Sequence, residues 1–267
     1  GAIGHFLRDE KTKAQGLELA DSVIAMVGSL VPDLLDTEEA RGAARDSWYR
    51  IAALYGQTGR HSEVLATYQK MIKVLGEDDG LLSSVAEFYK GRDQRDKARA
   101  TYLKFKDQIK GQLAVAAMWR EEGKHDTAIE IYKTLMKQDG DNTDSYQWSI
   151  GECYEESGRL RNAIAAYGKV DNFPTTYFKM ASCHRRLKEF RTALALYTQC
   201  KVHEGKAPDA FIEIAYTYEE AGERDNAIRA FQLTCKNFPK SGHASRAHSH
   251  LQDKYGINVT LGGAKEE

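Results

Sequence analysis

Apolar residues along this chain recur at intervals of three and four, the spacing that lines one face of an α-helix, and no long segment shows the sustained alternation of a strand. One seven-residue pattern returns again and again. It reads Asp-Lys-Ala-Arg-Ala-Thr-Tyr at 96–102, Asp-Thr-Ala-Ile-Glu-Ile-Tyr at 126–132, Arg-Asn-Ala-Ile-Ala-Ala-Tyr at 161–167, Arg-Thr-Ala-Leu-Ala-Leu-Tyr at 191–197 and Asp-Asn-Ala-Ile-Arg-Ala-Phe at 225–231. A sixth copy at 62–68 carries Val64 in place of the alanine, so the anchors stand at 64, 98, 128, 163, 193 and 227, with steps of 34, 30, 35, 30 and 34 residues. Four residues after each anchor comes an aromatic (Tyr68, Tyr102, Tyr132, Tyr167, Tyr197, Phe231), although aromatics make up only 10% of the chain. Self-similarity at such a period marks a repeat architecture.

A second apolar series precedes each anchor. Thirteen residues upstream stand Ile51, Val85, Val115, Ile150, Met180 and Ile214; the next residue is always small (Ala52, Ala86, Ala116, Gly151, Ala181, Ala215). Nine residues upstream stand Tyr55, Tyr89, Trp119, Tyr154, His184 and Tyr218, and glycines 59, 123, 158 and 222 mark a turn between the two series. Each unit therefore reads as helix, tight turn, helix. The large residues form an apolar stripe and the small ones let two backbones approach closely. A lone helix pair cannot bury its stripe, so the units must stack as a solenoid held by nearest-neighbour contacts.

These residues and spacings resemble the tetratricopeptide repeat over about Arg45 to Pro239. The resemblance implies an all-α fold, a right-handed superhelical solenoid of antiparallel helix pairs, and work as a non-catalytic protein-interaction scaffold that takes a peptide or helix in its concave groove. The two 30-residue steps depart from the family length; a loss of four residues removes about one helical turn and keeps the faces in phase. His184 stands where the family has an aromatic, with Phe178 nearby as a candidate to compensate.

The flanks read as repeat fragments. Residues 1–44 form a degenerate N-terminal repeat and the approach to the first full one, with a helix pair expected within Ile3 to Leu30. Six repeats occupy 45–240. Asp36 and Glu39 suggest a capping box for a helix running past Trp48 to about Gly56. Ser241 caps a final helix at 241–255, polar enough to serve as a solubilising cap, and 256–267 is a loosely held tail.

Composition narrows the function. The 267 residues are 42% hydrophobic and 29% charged, with a mean hydropathy of -0.58, as in a folded soluble protein. No apolar run is long enough to cross a bilayer. With 38 basic and 39 acidic residues, no global field favours nucleic acid or an anionic membrane. The four cysteines are too scattered for a disulfide framework and point to free thiols in a reducing compartment. The chain opens Gly1-Ala2-Ile3 without an initiator methionine, so removal of something upstream, a signal peptide or anchor, is expected. The step Phe238-Pro239-Lys240-Ser241 followed by Ala244 is similar to repeats in bacterial envelope-assembly proteins, which implies a periplasmic or cell-envelope site. Compartment stays open between that and the cytoplasm. Asn258-Val259-Thr260 matches a glycosylation sequon, a pattern short enough for chance.

Candidate chemistry is sparse. No phosphate-binding glycine loop, His-Glu-x-x-His or Gly-x-Ser-x-Gly occurs, so no cofactor is expected. Cys200 and His203 are spaced to meet as thiol and base, but nothing in the pattern orients the histidine. Cys183, Cys200, His203 and Cys235 lack the paired spacing of a zinc site, and His243, His248 and His250 lack helical i, i+4 spacing, so no metal is expected.

What remains is surface. In this architecture the first helix of each pair lines the inner wall, and the positions not spent on packing form one stripe. That stripe and its neighbours give Tyr49, Arg50, Leu113, Arg120, Trp148, Glu152, Phe178, Arg185, Ile212 and Tyr216 as the expected partner-binding residues. Trp148 and Phe178 are the anchors, with alternating charge in repeats four to six (Glu152 and Glu155, Lys179 and Arg185, Glu213 and Glu219) to orient the ligand. Two readings compete: the large residues fill a tight superhelix, or the charges satisfy one another. The resemblance does not extend to the carboxylate clamp of chaperone-binding members, since Tyr49, Ala53, Ser84, Lys110 and Ala114 occupy its places and only Lys110 fits. The expected partner is a protein or peptide, with no nucleic acid and no membrane insertion, bound by a monomer. The alternatives are a self-assembling structural scaffold and a Cys/His enzyme or metalloprotein.

Overall fold

The computed structural model describes residues 12–31 and 35–262, and every regular element among them is helical. The chain divides into two compact units, residues 1–118 and 119–267. Unit 1 contains α1 (Lys13–Ser29), α2 (Glu38–Gln57), α3 (His61–Leu75), α4 (Asp79–Lys90), α5 (Arg95–Tyr102) and most of α6 (Gln108–Glu121), within which the boundary falls. Unit 2 contains α7 (His125–Gln138), α8 (Thr143–Glu156), α9 (Leu160–Tyr167), α10 (Thr175–Arg186), α11 (Phe190–Cys200), α12 (Ala207–Glu220), α13 (Arg224–Asn237) and α14 (Gly242–Tyr255).

Within each unit, consecutive helices pack as antiparallel pairs: α2 with α3 and α4 with α5, then α8 with α9, α10 with α11 and α12 with α13. The second helix of a pair also packs on the first helix of the next, as α3 does on α4 and α11 on α12. The repeat signature supplies the core. The alanine anchors at 98, 128, 163, 193 and 227 are wholly buried, and Tyr167, Tyr197 and Phe231, four residues on, are buried against them. Small residues set the helix spacing. A β-carbon placed on Gly151 of α8 would stand 2.6 Å from the Tyr167 ring of α9, so this closeness is available only to glycine.

The turn inside each repeat has one fixed demand. Five residues before every anchor the backbone is left-handed; glycine meets this in four repeats, while Asp93 and Lys188 meet it in the other two. The two short steps shorten helices rather than turns: α5 and α9 have 8 residues each, against 15 in α3 and 14 in α13.

The ends differ from the sequence reading in detail. Of the span where an N-terminal helix pair is expected, α1 is the helix within the described residues; residues 1–11 lie outside them. The cap of α2 is Thr37, whose hydroxyl accepts from the Ala40 amide at 3.1 Å, one residue later than the expected capping box. At the other end the Ser241 hydroxyl accepts from the Ala244 amide at 3.1 Å and starts α14. Beyond it the chain does not hang free as far as Gly262: Ile257 and Val259 pack on the core that α14 helps to build, and the Gly262 amide donates to the Cys235 carbonyl at 3.1 Å.

Candidate functional site

In unit 1, Tyr49 is half-buried, its ring 6.2 Å from Tyr68 and its hydroxyl 3.5 Å from the Ser84 hydroxyl. Arg50 is exposed on α2 and Leu113 is half-buried on α6. A cavity of about 560 Å³ opens between α2 and α4, lined among others by Ala53, Gly56, Ser83 and Glu87. Small residues there leave the space that large ones would fill. None of the ten expected residues lines it.

In unit 2 the anchors come out half-buried. Trp148 leans on Tyr167 with ring centroids 5.1 Å apart, and the Lys179 ammonium stands 5.9 Å from the Trp148 ring. Phe178 packs edge-on against Tyr197 at 5.5 Å, so it does not stand in for the aromatic missing at His184. His184 instead pairs with Glu189, Nδ1 to Oε2 2.6 Å. Phe178 and Tyr197 floor a cavity of about 350 Å³ between α10 and α12, walled by Ser182, Arg185, Asp209 and Glu213. Phe178 and Arg185 are legible in the sequence. Ser182 shares their stripe with neither size nor charge to mark it, and the position of Tyr197 in the repeat speaks only of packing. Lys206 and Asp209, which also line the cavity, stand where α12 begins and carry no periodic signal.

Ile212 is not groove surface. It is 1% exposed, in a core whose other members include Ala247 and Leu251 of α14. Tyr216 is half-buried with its ring 5.2 Å from Phe231 and 5.5 Å from His250 of α14. The last helix thus takes up the stripe that the sequence offered to a partner.

The alternating charges of unit 2 are engaged with one another. Arg120 meets Glu152 at 2.6 Å and Glu156 at 2.5 Å. The hydrogen bonds that Arg120 donates to Glu156 raise the Arg120 pKa further, and in return Arg120 holds the Glu156 carboxyl below its ordinary range. Glu155 accepts from the Tyr167 hydroxyl at 2.7 Å and from Lys179 at 3.0 Å, with Arg186 at 3.5 Å. Arg185 meets Glu213 at 2.5 Å and Glu220 at 3.5 Å. Glu219 ends the series on α14: His250 at 2.8 Å, Lys254 at 3.2 Å and the Tyr255 hydroxyl, which donates to it. Burial pushes the Glu219 carboxyl up, but these donors outweigh it and leave its pKa lowered. The self-satisfying reading of the charges holds for these pairs, and Arg120, Glu152 and Arg185 are tied up in them.

The cysteines and histidines do not assemble a reactive centre. All four cysteines are buried and free. Burial pushes the Cys153, Cys183 and Cys200 thiols up to about 11, so each remains a protonated thiol at neutral pH and a poor nucleophile. The Cys200 sulfur is 3.8 Å from the Pro174 carbonyl, whereas His203 is exposed past the end of α11, its ring 6.4 Å from Phe173. Two histidines of the capping helix pin it to α12: His243 to Asp209 at 2.9 Å and His250 to Glu219. Among the described residues no group of three or more His, Cys, Asp or Glu side chains could hold a metal ion, and no helix is long and apolar enough to cross a membrane.

Stacked antiparallel helix pairs with small-residue contacts and a left-handed turn inside each define a tetratricopeptide-type repeat protein, a class that mediates protein–protein interaction and is generally non-catalytic. Residues 43–245 match the family described as Suppressor of forked protein (Suf), and the chain belongs to that family. It is 25% identical over 119 residues to anaphase-promoting complex subunit CDC16 of Saccharomyces cerevisiae, covering 43% of this chain and 14% of that protein. To Superkiller complex protein 3 of Mus musculus it is 25% identical over 213 residues, 68% of this chain and again 14% of that protein. The chain therefore spans a small part of the length of these relatives. Among solved structures, the C-terminal part of a TPR repeat-containing protein from Cytophaga hutchinsonii superposes with a TM-score of 0.56 at 13% identity, over 92% of this chain and 98% of that one. The type IV pilus biogenesis factor PilW does so with a TM-score of 0.51 at 12% identity, over 75% and 96%. These likenesses are of fold.

Proposed function

We propose that unit 2 is a non-catalytic docking module that holds a segment of a partner protein against α8, α10 and the start of α12. The observation that carries this reading is the cavity where half-buried Phe178 lies over buried Tyr197, with the Thr175 and Ser182 hydroxyls and paired charges at its rim. An apolar side chain of the partner fits over Phe178, and the hydroxyls offer hydrogen bonds to its backbone. Because the charges around the site are already paired, they select against misplaced charge more than they add affinity. Trp148, one repeat earlier, extends the aromatic surface. Protonated, buried thiols and carboxylates spent in ion pairs support the non-catalytic assignment.

The experiment is capture by immobilised chain, repeated with Phe178→Ala and Trp148→Ala. A docking role predicts affinity losses of roughly tenfold or more for Phe178→Ala at nearly unchanged helicity, as for a hot-spot aromatic. Partners retained at full affinity by both variants would remove the site from unit 2. Thiol labelling of the native chain separates the enzyme alternative: rapid modification of any cysteine would contradict the burial on which it is set aside.

A further inference from the structure

We propose that a groove of unit 2, between α7 and α9, holds an extended acidic segment of a partner protein. The cavity there measures about 370 Å³, toward the small end of ligand sites. The neighbouring helix leaves room for it. α9 stops after 8 residues where α7 has 14, and Ala166 stands at the place that Leu196 fills in the next repeat. Met136 of α7, Ile150 of α8 and Ala165 of α9 give the groove an apolar lining. It shares no lining residue with the cavity over Phe178, so the inference is independent of the docking site proposed above.

Gln147 on α8 marks the groove as more than a gap in packing. Four other repeats place a large apolar or aromatic residue at this position (Trp48, Leu82, Tyr177, Phe211), yet this repeat buries a glutamine, 7% exposed. Its amide nitrogen donates to the Ala166 carbonyl at 3.3 Å, while its side-chain oxygen meets no donor among the described residues. Gln147 lines the cavity. A buried acceptor left open is costly, so this departure from the apolar rule points to a ligand that brings a donor.

Charge selects the occupant. The lining includes two lysines and no acid. Lys169, just past α9, pairs with no carboxylate among the described residues, and Lys133 meets Glu130 of its own helix at 2.8 Å, an exposed pair that is worth little and exchanges readily. Lys179 and Arg185 differ, for carboxylates already engage them. The open Gln147 oxygen then sets the conformation. An extended backbone offers it an N–H, whereas the interior of a helix has spent its N–H groups internally. The occupant is therefore an extended segment with Asp or Glu beside an aliphatic residue: the carboxylate toward Lys133 and Lys169, the aliphatic side chain on Ile150 and Met136, a backbone N–H on Gln147.

The probe is a library of short random peptides displayed on phage, each joined through its C-terminus so that only side chains present carboxylates, selected on the immobilised 267-residue chain. Enriched peptides carry Asp or Glu beside an aliphatic residue. One of them, resynthesised with a dye, binds in fluorescence anisotropy with an affinity that falls roughly tenfold in Lys169→Glu and falls with added salt. Gln147→Leu weakens it as well, because leucine suits this position, as Leu82 does, but accepts no hydrogen bond; Lys169→Glu, at an exposed site, decides the matter if that variant fails to fold. Phe178→Ala leaves the affinity unchanged. Enrichment of peptides without acids, or no enrichment, overturns the proposal. Acidic peptides that bind Lys169→Glu as tightly as the native chain overturn it too, and loss of binding in Phe178→Ala alone assigns them to the other cavity.

Discussion

Phe178 on α10 and Ile212 on α12 occupy the same place in successive repeats, yet one floors a cavity and the other is 1% exposed in a core. The cause lies in the helix that stands opposite each of them. Across the mouth of α10 stands the start of α12, with Lys206, Asp209 and Glu213 spaced far enough to leave about 350 Å³ open. Across α12 stands α14, held by His243 on Asp209, by His250, Lys254 and Tyr255 on Glu219, and by the burial of Leu251. A repeat in the middle of the stack keeps a surface to offer. The last repeat spends its surface on the cap, because without one an apolar face would meet water.

The strongest test of this contrast is truncation at the two places. Ile212→Ala should lower stability by about 2 to 5 kcal/mol, as for a buried aliphatic in a core that cannot collapse, whereas Phe178→Ala should cost clearly less. Equal losses in chemical denaturation would erase the distinction between core and site. Next comes overpacking away from both places. Gly151→Leu drives a side chain into the Tyr167 ring and should cost about 1 to 3 kcal/mol, more than the half-buried Phe178 loses. Glu219→Gln removes the charge that gathers His250, Lys254 and Tyr255, and should cost about 1 to 2 kcal/mol with the loss concentrated in α14. Hydrogen exchange reads it: faster exchange in α14 and the end of α12, with α10 unaffected, sharpens the comparison, and uniform exchange breaks it.

The smallest expected effect is on pH. The Glu156 and Glu219 carboxyls have pKa values lowered from the ordinary 4.5, so the folded chain binds fewer protons there than the unfolded one. The stability they contribute is complete above about pH 4.5 and is lost as pH falls through their lowered values. A melting temperature that drops modestly below about pH 4.5, and drops less in Glu219→Gln, is the expected result. An acid response identical in the variant would show that the cap pairs carry none of it.

Much of this molecule was legible in its sequence. The period, the alanine anchors with aromatics four residues on, and the small residues opposite them determined the helix pairs and the buried contacts inside each pair, because those features answer to local helix geometry and to contacts between adjacent segments. The Ser241 cap was legible for the same reason. What only the tertiary structure decided was the use of the remaining stripe. A helical wheel treats Trp148, Phe178, Ile212 and Tyr216 alike, but whether a residue at that place opens on a cavity, leans on Tyr167 or is buried beneath α14 depends on the neighbouring helix. The charges obeyed the same rule. Their alternation was visible in the sequence, but whether Arg120 faces a ligand or Glu156 turns on side chains 36 residues apart meeting at hydrogen-bond distance. Such pairings are set by how successive repeats pack, a property of the stack and not of any single helix.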